Sequence, residues 1–106
     1  MKYFRLAYKD NATSTTHVED VRAVSAKEAA ALSPMKGLGY PLSQVKEISL
    51  AERAEAIKSH IGMADFDRKM MVRCGVMSEE RAQQNYENVV RHYEVELKEV
   101  EEALAV

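Results

Sequence analysis

The sequence predicts an α+β fold: a small antiparallel sheet in the order β-β-α-β, followed by a helical half that ends in one long amphipathic helix. Three observations carry this reading. Alternating, aromatic-rich residues open the chain from Tyr3 to Lys9, and serine-led capping boxes stand at Ser25 and Ser49. Near the other end Tyr86, Val90, Tyr93, Leu97, Val100 and Leu104 recur at spacings of four, three, four, three and four, one apolar seam along a helix. At 106 residues and 12.0 kDa the chain suits a single domain, 1–106, with a ββαβ half over 1–48 and a helical half over 49–106.

The first strand places Phe4, Leu6 and Tyr8 on one face and Tyr3, Arg5, Ala7 and Lys9 on the other. The run Asp10 to Ser14 holds residues that bond their own backbone in turns, so a hairpin to a second strand over Thr15 to Val24 follows. Val18 and Val21 are out of phase there, which predicts a β-bulge near Glu19 and Asp20. Ser25 and Glu28 open a short helix at Ala26, and Pro34 implies either an early end or an irregular last turn. A loop over Met35 to Pro41 leads to a third strand, Gln44 to Ile48.

Ser49 and Glu52 open the next helix, whose seam is Leu50, Ala54, Ile57 and Ile61, with Gly62 as its left-handed cap. The seam would continue onto Asp65 and Arg68, so the periodicity predicts a break there and a separate helix from Phe66 to Cys74, closed by Gly75. Ser78 caps the last helix, with Glu79 and Glu80 in a first turn where the helix dipole favours negative charge. That helix runs to about Ala103, on the order of 37 Å at 1.5 Å per residue.

Composition demotes several functions. One cysteine, Cys74, closes no disulfide within the chain, so a reducing, cytoplasmic setting is expected. No signal-peptide pattern and no apolar run of membrane-spanning length occurs, so no membrane partner is expected. His17, His60 and His92 fall in different elements without metal-ligand spacing, and Gly37-Leu38-Gly39 lacks the context of a nucleotide loop. Cys74, among Met70, Met71 and Val76, reads as a small core residue rather than a nucleophile. The expectation is no catalytic residue, no metal and no cofactor. Met70 to Ser78 has the form of a helix-turn-helix turn, but Arg81 stands where that motif needs an apolar residue, and Glu79 and Glu80 would meet phosphates with the wrong sign.

What remains is binding. The seam of Tyr86, Val90, Tyr93, Leu97, Val100 and Leu104 packs within the chain against Leu50, Ala54, Ile57 and Ile61, or forms a homodimer where Leu97, Val100 and Leu104 outrun the shorter helix. Around it Glu94, Glu96, Glu99, Glu101 and Glu102 concentrate negative charge near a helix C-terminus, against the macrodipole, and are the candidate partner-binding residues. Such a row suits a protein partner with a basic, nucleic-acid-binding surface.

The strand, strand, capped-helix order carried by Tyr3 to Tyr8, Val21 to Val24 and Ser25 to Leu32 resembles small phage-encoded ββαβ proteins, anti-CRISPR inhibitors among them. The resemblance implies a non-enzymatic inhibitor that occludes a site on a host nucleic-acid-handling complex, working in the host cytoplasm. The alternative is a small dimeric nucleic-acid-binding regulator that uses Arg5, Lys9 and Arg22 of the sheet.

Overall fold

Strand β1 (Tyr3–Asp10) is built from aromatic and apolar residues that suit a pleated, buried surface, and it takes the centre of the sheet. In the computed structural model, which describes residues 1–106, β2 (Thr15–Arg22) flanks it on one side and β3 (Leu42–Ile48) on the other, both antiparallel. The hairpin between β1 and β2 turns over residues 11–14. Asp10 Oδ1 accepts the Ala12 N–H at 3.0 Å, and Ser14 takes a left-handed φ of 57°.

One face of β1 makes the core of this half. Phe4, Leu6 and Tyr8 pack with Ala23 and with Ala29 of helix α1 (Ala26–Leu32), and Val21, Ala30, Met35, Tyr40 and Val45 close the margin. Ser25 caps α1 by accepting the Glu28 N–H at 3.1 Å. A 3₁₀ turn, Pro34–Leu38, occupies part of the expected loop, and Gly39 ends it at φ 78°. Strand β3 begins two residues before the expected Gln44.

The bulge lies elsewhere than expected. β1 and β2 pair without interruption from Tyr3↔Arg22 to Asp10↔Thr15, so Val18 and Val21 simply point to opposite faces. Of the polar residues that this register puts on the core face, Glu19 accepts a hydrogen bond from the buried Ser33 hydroxyl. The irregularity falls between β1 and β3, at Ala7/Tyr8, where Ser43 donates its hydroxyl to the Ala7 carbonyl at 3.0 Å.

On the opposite face of the sheet Asp20 is clasped by two arginines. Arg5 Nε and Nη2 donate to its two carboxylate oxygens at 2.8 and 3.1 Å, and Arg53 Nη1 adds a third bond at 3.0 Å. The Asp20 side chain is 4% exposed and that of Arg53 8%. Burial works against the Asp20 charge, but the hydrogen bonds and charges of Arg5 and Arg53 outweigh it and hold the carboxyl below its ordinary value. The Arg53 guanidinium also sits over the Tyr3 ring, 5.4 Å from its centre.

Arg53 belongs to helix α2 (Leu50–Arg73), which opens on a complete capping box: Glu52 N–H donates to Ser49 Oγ at 3.1 Å and Ser49 N–H to Glu52 Oε1 at 3.2 Å. The expected cap at Gly62 and the break after it are absent, for α2 runs through both as one helix of 24 residues. Asp65 and Arg68 do occupy the seam, and they are tolerated because Arg68 Nη2 bonds Asp65 Oδ1 at 2.6 Å. The helix ends where Gly75 takes φ 72°. There Gly75 N–H donates to the Val72 carbonyl at 3.1 Å and Val76 N–H to that of Met71 at 3.0 Å, the paired bonds of a Schellman cap. Helix α3 (Glu79–Leu104) follows, capped by Ser78 Oγ on the Arg81 N–H at 3.2 Å, and runs unbroken for 26 residues.

The chain divides into two compact units, Met1–Arg53 and Ala54–Val106, the division falling inside α2. No helix is long and apolar enough to cross a membrane.

Candidate interaction surface

Within the second unit, α2 and α3 form an antiparallel hairpin whose register is set by three side-chain pairs. Arg68 Nη1 donates to Gln83 Oε1 at 2.8 Å, the Arg68 guanidinium covers the Tyr86 ring at 4.9 Å, and His60 stacks on Tyr93 at 5.3 Å. Arg68 is thus the polar node of this interface, bound to Asp65 of its own helix and to Gln83 and Tyr86 of the other. Its Nε is buried without a partner. The hydrogen bond from Arg68, then that from Lys69, keeps the Asp65 carboxyl below its ordinary value.

The α3 seam faces inward for most of its length. Val100 is fully buried, and Tyr86, Val90, Tyr93 and Leu97 are half-buried, while only Leu104 is left exposed, at 47%. The expected bare end of Leu97, Val100 and Leu104 therefore shrinks to its last residue. Beside the seam the hairpin keeps a hollow of about 150 Å³ lined by Ala64, Met71, Met77, Ala82, Tyr86 and Val89.

The five candidate glutamates do not form one row. At about 100° per residue, Glu94 and Glu101 fall on one flank of α3, Glu96 and Glu99 on the other, and Glu102 on the outer side. Glu96 is half-buried and the other four are exposed. What shares the flank of Glu94 and Glu101 is Glu80 and Glu87, at intervals of seven residues, about a quarter of a turn round from the seam. All four members of this ridge are exposed, and Glu87 takes a hydrogen bond from Gln83 Nε2 at 3.2 Å. Glutamate is locally densest over residues 94–102. The seven-residue interval was the signal for Glu80 and Glu87.

On α2, the side turned away from the inward stripe of Ala54, Ile57, Ile61 and Arg68 carries Met63 and Phe66, 53% and 56% exposed, with half-buried Met70. Phe66 and Met70 line a groove of about 810 Å³ together with Arg68, Lys69 and Arg73 of α2 and Glu79 and Glu80 of α3. Cys74, expected in the core, is exposed in the turn after α2, because the helix presents Met70 and its neighbours outward there.

The remaining candidates are scattered. His17 stacks on Tyr40 at 5.0 Å in the sheet unit, while His60 and His92 both contact Tyr93 in the helical one. No three His, Cys, Asp or Glu side chains are grouped to hold a metal ion. Of the basic sheet residues, Arg5 is committed to Asp20. Compared with models of known families, with curated proteins and with solved structures, the chain matches none.

Proposed function

We propose that the protein works by binding another protein, without chemistry of its own, and that the acidic ridge of α3 makes the contact. The observation that carries this is the alignment of Glu80, Glu87, Glu94 and Glu101 along one exposed flank of a long helix. Four carboxylates spaced at about 10 Å, seven residues of 1.5 Å rise each, present fixed negative charge to a basic groove much as a phosphate backbone does. The partner of this reading is a protein with a basic, nucleic-acid-binding surface, and the effect is occlusion of that surface. An inhibitor of a host nucleic-acid-handling complex is the specific form suggested by the resemblance of the first half to phage ββαβ proteins. Within such a protein the sheet unit, with its dense core and buried Asp20 clasp, is scaffold.

The test is capture of partners from a host lysate on the immobilised chain, followed by elution with salt and with duplex DNA. The expected partner is released by both, since charge holds it and DNA competes for the same groove. Neutralising the ridge by Glu80→Gln, Glu87→Gln, Glu94→Gln and Glu101→Gln together abolishes capture, whereas Glu102→Gln leaves it intact. A partner retained by the four-fold variant overturns the assignment to this ridge.

A further inference from the structure

The outer face of α2 contains a glycine that nothing in its own chain explains. Gly62 lies at the middle of a 24-residue helix, and a Cβ built on it meets no atom within 4 Å. Its backbone is ordinary helix, so no left-handed φ calls for glycine, unlike Gly39 and Gly75. Glycine in an exposed helix interior is a poor former, and its use there is understood when another backbone or ring approaches closely. Around this bare spot stand Met63 and Phe66, 53% and 56% exposed, and half-buried Met70 follows one turn beyond Phe66.

We infer that this face joins two copies of the chain, with the α2 helices packed antiparallel about a two-fold axis close to Ala64. The charges on the face are self-complementary in that arrangement. Glu55 and Arg73 are eighteen residues apart, five helical turns, so they lie at one azimuth on either side of Gly62. A two-fold midway between them sets Arg73 of each copy beside Glu55 of the other. The same axis seats each Phe66 ring over the opposing Gly62 and brings Met63 against its own counterpart. Both copies contribute the same patch, as closed dimers do. Lys58 and Lys69, at the rim, each hold a carboxylate of their own helix, Glu55 at 3.4 Å and Asp65 at 3.2 Å, which limits repulsion between the rims.

Solution mass by sedimentation or light scattering across micromolar to millimolar concentrations tests this on the full chain. The expected result is a concentration-dependent dimer. Gly62→Gln separates folding from association, because glutamine favours a helix more than glycine does: the melting temperature at low concentration holds or rises while the dimer dissociation constant increases at least tenfold. Glu55→Arg and Arg73→Glu each weaken the dimer, and the two together restore it. A monomer at every concentration overturns the inference. So does a dimer that survives Gly62→Gln and Phe66→Glu, which assigns association to another face, and a double charge swap no tighter than either single one, which rules out this register.

Discussion

Both units set an arginine against a carboxylate and the face of a tyrosine, and they do so with opposite economy of water. In the sheet unit Arg53, Asp20 and Tyr3 are all buried, and Arg5 completes the set. In the helical unit Arg68 and Asp65 remain 30% and 40% exposed beside Tyr86, at an interface that also keeps a hollow of about 150 Å³. The lesson is that a polar cluster inside a dry wall locks one arrangement, whereas the same chemistry at a wet seam leaves the interface adaptable.

That contrast is open to direct attack. The largest effect is expected in the sheet core, where Leu6→Ala removes a fully buried side chain and costs about 4 kcal/mol, read by denaturant unfolding. Replacing Asp20 by Ala removes the carboxylate that Arg5 and Arg53 share and costs about 3 kcal/mol. Its ionisation also sets a pH dependence of known sign. The folded carboxyl titrates below its unfolded value, so the stabilisation is complete above the unfolded value, about pH 4, and is lost as pH falls through the folded one. The unfolding midpoint should therefore drop on acidification, and Asp20→Asn should flatten the decline. Asp10, Glu52 and Asp65, whose carboxyls are also lowered, supply the slope that remains.

Smaller changes are expected at the hairpin. Gly75→Ala forces an L side chain into a left-handed backbone and costs about 1 kcal/mol, measured by thermal unfolding. Arg68→Met should change stability by less than about 1 kcal/mol in either direction, since it removes an orphaned Nε along with two hydrogen bonds at a half-wet site. A loss at Arg68 as large as that at Asp20 would erase the distinction between the two units.

Local signals were legible in the sequence and pairings across the chain were not. Ser25, Ser49 and Ser78 each cap the helix they announce, and Gly75 ends α2, because these devices are complete within a few residues. The alternation of Phe4, Leu6 and Tyr8 marked the core strand for the same reason. The false break at Gly62 arose where Asp65 and Arg68 interrupt an apolar period; beside their own i,i+3 bond, Arg68 is held by Gln83 and Tyr86, which lie on another helix. The misplaced bulge has a similar origin: Glu19 sits on the core face because Ser33, fourteen residues away, satisfies it. Among the glutamates, nearness in sequence is not nearness in space, since neighbours on a helix diverge while residues seven apart align.

Asp20 draws on three separate stretches of chain: its own strand, Arg5 of β1 and Arg53 in the first turn of α2. Anyone excising the sheet half as an independent fragment must therefore cut beyond residue 53. A piece ending at Ile48, where the last strand stops, would strip one of the two cations from an enclosed anion and be acid-sensitive or unfolded in isolation, although every strand had been retained.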